Sequence, residues 1–189
     1  MSIACVILAA GTSGRFGSDK LVYPLGDGTT LLQRTLEACA RFPRVVVCSQ
    51  ALRPLVEARG VRAIVNERPD RGMAYSLQLA DAVLARDWAI AVLPADLADL
   101  TSAHVARVVA ALADADVAYP ASSSGELGHP VVFSAHARVG IAGLAHGDTI
   151  RHLRDRSDLR RSVVTVSDPG PYRDVDRPSD LATSATRRP

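Results

Sequence analysis

Aromatic residues are scarce in this 189-residue sequence, with three Phe, four Tyr and one Trp. Proteins that hold single-stranded nucleic acid rely on stacked rings above a basic groove. Here the rings are few, the formal net charge is only +2 and the arginines are scattered, which argues against a nucleic-acid partner. No apolar run reaches the length needed to span a membrane. The stretch 3–10 stops at Gly11 and has no basic residue before it, so it reads as a buried strand and not as a leader or anchor. Cys5, Cys39 and Cys48 are odd in number, form no CxxC pair and sit in apolar runs, the pattern of reduced thiols in a cytoplasmic protein. The five histidines share no zinc spacing, and no GxSxG elbow is present, so zinc and covalent serine chemistry both lack a candidate. Scarcest of all is lysine, because Lys20 is the single one among 22 Lys and Arg residues.

What is present suits one ordinary α/β domain, expected over residues 1–182 with a disordered tail at 183–189. Short β-branched runs alternate with segments of helical period, the mark of a mostly parallel sheet covered by helices. The runs predict strands at 3–9, 44–49, 61–66, 88–94, 116–120, 130–134 and 162–167. Leu31, Leu32, Thr35, Leu36 and Cys39 predict one amphipathic helix, and Val105, Val108, Val109 and Leu112 another. The polar stretch ASSSGELGHPVV reads as a hairpin or flap between strands.

In such folds ligands bind beyond the carboxyl ends of the strands. The loop after the first strand, LAAGTSGRFGSDKL, matches neither GxxxxGK[ST] nor GxGxxG. It still holds the ingredients of a phosphate cradle: Gly11, Gly14 and Gly17 let backbone N–H groups approach oxygens, Arg15 offers a planar fork and Lys20 a compact point charge. The alternative is a surface turn with a solvated lysine. Asp96, just past the most apolar strand, stands where a Mg²⁺ carrying a triphosphate needs an oxygen ligand, or is an ordinary loop aspartate. Asp99 or Thr101 could cap the helix that follows. In RDVDRPSDL, Asp176 is either a second metal contact facing Asp96 or part of an acidic cap in which Pro178 opens a helix and Asp180 meets its dipole.

Taken in order, VILAAGTSGRFGSDKLVYPLGDGTTLLQRTL, NERPDRGMAYSLQLA, LPADLADLT, GHPVVF, HGDTIRHL and DVDRPSDL resemble the MobA-like nucleotidyltransferase family, closest to its molybdenum cofactor cytidylyltransferase branch. The resemblance implies a Rossmann-like three-layer α/β/α fold of the nucleotide-diphospho-sugar transferase type. It implies that Leu8, Ala9, Ala10 and Gly11 embrace base and ribose, and that Ser13, Gly14, Arg15 and Lys20 hold the triphosphate. Asn66, Gly72 and Ser76 line the nucleotide site on the same basis, while Gly128, His129 and Pro130 join the ligand contacts from the flap. Arg15, Lys20 and Asp96 are the implied catalytic residues, with Mg²⁺ on Asp96 and Asp176, or on Asp174 in place of Asp176. Two positions depart from the family pattern: Ala98 replaces a usual proline two residues after the metal aspartate, and Arg177 replaces a small residue.

The AAG form of the loop favours CTP over GTP, since guanylyltransferases of the family tend to carry a second glycine there. The implied reaction transfers CMP to molybdopterin and releases pyrophosphate, with a molybdoenzyme or its insertion chaperone as the protein partner. Two other readings stand beside it: transfer to a sugar phosphate or methylerythritol phosphate, and a catalytically silent nucleotide-binding partner in cofactor insertion.

Overall fold

The structure is a computed structural model that describes residues 1–11, 19–177, 179 and 180. The tail at 183–189 therefore lies outside the described residues, as do Ser13, Gly14, Arg15, Gly17 and Pro178. Among the described residues a single seven-stranded sheet runs through the molecule. Its strands are β1 (Ile3–Ala9), β2 (Arg44–Cys48), β3 (Arg62–Val65), β4 (Ala89–Pro94), β5 (Val117–Ala121), β6 (Val131–Phe133) and β7 (Arg161–Thr165). They match the seven predicted runs, with ends displaced by two residues at most. The helices are α1 (Leu31–Ala38), α2 (Arg53–Glu57), α3 (Gly72–Asp81), α4 (Ser102–Ala110), α5 (Ala135–Arg138) and α6 (Ile150–Arg154). Of these, α1 and α4 are the two that helical period predicts.

The strand order is β3-β2-β1-β4-β6-β5-β7, and only β6 runs against its neighbours. Strands β1, β2, β4 and β5 are buried almost throughout because both faces of the sheet are covered, which explains their continuous Val, Ile and Ala runs. Cys5 and Ile7 point to one face, where Leu31, Leu32 and Leu36 of α1 meet Val105 and Val108 of α4. Val6 and Val92 point to the other, against Leu77 and Ala80 of α3, Ala137 of α5 and Leu153 of α6. The result is three layers, helices on sheet on helices.

Local chemistry sets the helix starts. Thr30 and Gln33 form a reciprocal capping box on α1, and Thr101 and His104 form one on α4. The capping ascribed to Thr101 or Asp99 thus belongs to Thr101. The polar stretch after β5 is a hairpin: Ala121 bridges Leu127, the Ser122 and Gly128 amides donate to the Glu126 and Pro120 carbonyls, and the His129-Pro130 peptide is cis.

The topology also fixes where a ligand can sit. From β1 the chain winds outward through β2 and β3, then crosses back to place β4 on the other side of β1. The order reverses between β1 and β4, whose registers pair Ile7 with Leu93 and Leu8 with Pro94. The carboxyl ends of these two strands, at Ala9 and Pro94, flank the switch point at which ligands usually sit in an open α/β sheet. No helix among the described residues is long and apolar enough to cross a membrane.

Candidate active site

The loop after β4 is tied down on both sides. The Ala95 amide donates to the Leu8 carbonyl at 3.1 Å, and Thr35 Oγ1 reaches the Ala95 carbonyl at 3.1 Å, so Asp96 leaves the sheet beside the end of β1. Leu97 and Ala98 are buried beneath it, and Arg34 Nη1 donates to the Ala98 carbonyl at 3.1 Å. A guanidinium therefore braces the turn at the position where the family pattern has proline.

The carboxyl-terminal segment closes over this loop. Asp174 bridges Leu97, and the Val175 amide donates to the Asp96 carbonyl at 3.1 Å. Asp180 Oδ2 accepts the amides of Asp176 and Arg177 at 3.0 and 2.8 Å, which lowers the Asp180 pKa. Arg173 adds a brace, donating to Asp99 Oδ2 at 3.3 Å and to the Asp180 carbonyl. The capping duty is thus carried by Asp180, and Asp176 is turned toward Asp96.

Lys20 meets both acids. Asp19 accepts the Leu21 amide at 3.1 Å and starts a one-turn 3₁₀ helix at Lys20–Val22, anchored by buried Leu21. From this turn Lys20 Nζ donates to Asp96 Oδ2 at 2.7 Å, the Val175 carbonyl at 2.7 Å and Asp176 Oδ1 at 3.2 Å. Its side chain is 15% exposed and that of Asp96 17%. Burial alone would pull the ammonium pKa down, but its bonds to Asp96 and then Asp176 outweigh that and hold it above its ordinary value. The sequence brings Lys20 forward as a phosphate ligand; in the structure its partners are the two proposed metal ligands.

Asp96 Oδ1 is buried and has no hydrogen-bond partner among the described residues. A buried carboxylate oxygen left without a donor calls for an explanation, and a divalent cation supplies one. Among the described residues no three His, Cys, Asp or Glu side chains form a ready cage. Two carboxylates suffice for Mg²⁺ or Mn²⁺ when phosphate and water oxygens complete the sphere, so the residues present fit such an ion. Asp174 is exposed and itself bridges Leu97, whereas Asp176 shares the Lys20 nitrogen with Asp96.

The other candidates fall into three groups. Leu8, Ala9, Ala10 and Gly11 run out from β1 beside this cluster; Ala9 is buried, Leu8 and Ala10 are partly so, and Gly11 is exposed. Asn66 and Ser76, both buried, form a separate pair in which Asn66 Nδ2 donates to Ser76 Oγ at 2.9 Å while Asn66 Oδ1 accepts the Arg68 amide at 2.8 Å. Gly72, with φ of 76°, lets the chain turn into α3.

Gly128 and His129 lie on the wall of a cavity of 390 Å³ that opens beside Pro94 and Leu97. Arg151 and Arg154 of α6 face the same space, with Tyr172 and Asp174 opposite. Pro130 is buried behind them. Burial lowers the His129 pKa, with the Val92 carbonyl, Asp96 and Asp174 pulling the other way, so the ring is neutral at pH 7. The flap is seated tightly: the His129 amide donates to the Pro171 carbonyl at 2.8 Å, and a Cβ on Gly128 would lie 2.5 Å from that oxygen and 2.6 Å from the Tyr172 ring. Gly128→Ala is therefore expected to cost about 1–3 kcal/mol in urea denaturation, because the Pro171 carbonyl is backbone and cannot swing away even where the Tyr172 ring gives.

Sequence reasoning misses Arg34 and Arg154. Both are single arginines in an arginine-rich chain, and nothing local marks them.

The MobA-like NTP transferase domain family matches residues 5–163. Among solved structures, the Rv0371c homologue from Mycobacterium sp. strain JC1 is 26% identical, each chain covering 98% of the other, with a TM-score of 0.82. Rv0371c of Mycobacterium tuberculosis H37Rv, in its complex with manganese, is 25% identical over 97% of both chains, with a TM-score of 0.79. Molybdopterin-guanine dinucleotide biosynthesis protein A from Archaeoglobus fulgidus shares the fold at 17% identity, covering 96% of each chain with a TM-score of 0.71. The architecture is that of the nucleotide-diphospho-sugar transferases. No match was found among curated proteins.

Proposed function

Because the chain belongs to the MobA-like NTP transferase family, we propose that residues 1–182 act as one nucleotidyltransferase domain that moves CMP from CTP to a phosphorylated acceptor, molybdopterin. The observation that carries this reading is the meeting of Lys20, Asp96 and Asp176 at the switch point between β1 and β4, beside a cavity faced by two arginines.

A phosphate oxygen of the acceptor attacks the α-phosphorus of the nucleotide, the bond to the β-phosphate breaks, and pyrophosphate leaves with its electron pair. A phosphomonoester is already anionic near neutral pH, so no side chain need remove a proton. What the protein supplies is alignment and charge compensation. Lys20 and Arg15 offset charge on the triphosphate, while Leu8, Ala9, Ala10 and Gly11 seat the nucleoside. A divalent ion held by Asp96 and Asp176, Mg²⁺ in the cell, supplies Lewis-acid neutralisation of the phosphates when bound; the manganese complex of Rv0371c supports this. Choice of CTP rests on the AAG form of the loop.

Arg151 and Arg154 give the cavity its capacity for an anionic acceptor. Arg154 is buried and clamped by Asp155 at 2.7 and 2.8 Å, a fixed charge in the wall, while Arg151 is exposed and can follow the ligand. On this reading the reaction takes place in the cytoplasm, with a molybdoenzyme or its insertion chaperone receiving the product.

The test is pyrophosphate release from CTP, GTP, ATP and UTP with molybdopterin. CTP is expected to be preferred, and Arg151→Ala to raise the acceptor KM about tenfold while the CTP KM holds. Greater turnover with GTP would reverse the base assignment, and none with any nucleotide would overturn the reading.

A further inference from the structure

An ammonium group has three N–H donors. In Lys20 all three are engaged, by Asp96 Oδ2, the Val175 carbonyl and Asp176 Oδ1, at 2.7, 2.7 and 3.2 Å. A nitrogen so committed cannot hold a phosphate without releasing an acceptor. The same nitrogen sits between the two carboxylates that fit a divalent ion, one of which keeps a buried oxygen, Asp96 Oδ1, without a partner among the described residues.

We propose that Lys20 and the divalent cation compete for the Asp96–Asp176 pair, so that a nucleoside triphosphate opens the metal site by drawing the ammonium onto its phosphates. This rests on reading the site as a nucleotidyltransferase centre. Two neighbouring carboxylates repel each other and need a counter-charge. Lys20 supplies it here, bonded to both carboxylates and mostly withdrawn from solvent. An incoming polyphosphate offers the ammonium a denser set of anionic oxygens, and its own oxygens complete the sphere of the ion that takes the vacated place. Metal and nucleotide then bind as a couple, each raising the affinity for the other by the same factor. Lys20 has a positioning role before it has a catalytic one: it keeps the two acids together and keeps a bare ion out.

The measurement is Mn²⁺ affinity, read by titration of the free-ion electron paramagnetic resonance signal, with protein folding checked by circular dichroism. Without nucleotide, Lys20→Met is expected to bind Mn²⁺ about tenfold or more tightly than the unaltered protein, in the range of ordinary coupling free energies. Lys20→Gln serves if Lys20→Met does not fold. Arg177→Gln removes the same charge from the exposed residue next to Asp176 and is expected to change the affinity less than about threefold, which separates competition for the pair from bulk electrostatics. Adding CTP to the unaltered protein should recover most of the gain once the Mn²⁺ taken up by CTP alone, titrated without protein, is subtracted. Equal Mn²⁺ affinity in the unaltered protein and the Lys20 variants, or an equal gain in Arg177→Gln, would overturn the proposal and leave Lys20 a permanent strut. Failure of the underlying reading is a different observation, since it is the absence of pyrophosphate release by the unaltered protein.

Discussion

Asp96→Asn is expected to fold normally and lose transfer activity by a factor on the order of a hundred or more. The substitution keeps the shape of the side chain and an oxygen that Lys20 can reach, but it removes the charge that faces both the ammonium and any divalent ion. The loop itself depends on groups that asparagine does not touch: the Ala95 amide on Leu8, the Val175 amide on the Asp96 carbonyl, and Arg34 on the carbonyl of Ala98. Melting temperature should accordingly change little while the rate of pyrophosphate release from CTP collapses. Activity within about threefold of the unaltered protein would take Asp96 out of the reaction centre.

Arg138→Met is expected to be the most destabilising of the substitutions considered, at about 3–5 kcal/mol. Arg138 is 1% exposed, the largest of the fully buried side chains. Its guanidinium donates to Asp81 Oδ1 at 2.5 Å and to the carbonyls of Asp81, Leu84, Ala85 and Trp88, four oxygens gathered where α3 ends and the chain turns toward β4. Those carbonyls have no helical partners of their own, so one planar cation satisfies the exit of a helix from the far side of a layer. Methionine fills much of the space yet takes the donor from the carbonyls of Asp81, Leu84 and Trp88, while that of Ala85 keeps the Trp88 amide at 3.2 Å, and it leaves a buried carboxylate with the exposed Arg86 as its remaining cation among the described residues. The fall in melting temperature should be about 10 °C or more, and Arg138→Lys should recover little, since three donors cannot serve the five bonds. Adding Asp81→Asn should make the double variant more stable than Arg138→Met alone, because the stranded charge goes with it. A loss below about 1 kcal/mol would show that α3 does not depend on this arginine.

The contrast between these two residues says what was legible in the sequence. Asp96 can be found from its place after an apolar strand, because a strand buried on both faces writes its own ends in Val, Leu and Ala. The seven strands and the helices α1 and α4 are legible for the same reason: their pattern is local. Arg138 is not legible, since its burial depends on residues 81–88, some fifty positions earlier, and nothing in SAHARVG sets it apart from the other arginines. Lys20 is an intermediate case. Its isolation in an arginine-rich chain marks it, but its partners could not be read, because they are brought in by the return of residues 174–176 across the loop after β4. At RDVDRPSDL the same return brings two carboxylates four residues apart to different partners, Asp180 accepting backbone amides and Asp176 meeting Lys20. The roles given to Ser13, Gly14 and Arg15 concern positions outside the described residues.

The stretch from Pro171 to Asp176 has two neighbours at once. Its first residues take the His129 amide and the close contact of Gly128, and its last present Val175 and Asp176 to Lys20. Six residues thus act as a splint between the hairpin and the reaction centre. A molecule that settles in the cavity beside the hairpin therefore touches the same short piece of chain that carries Asp176.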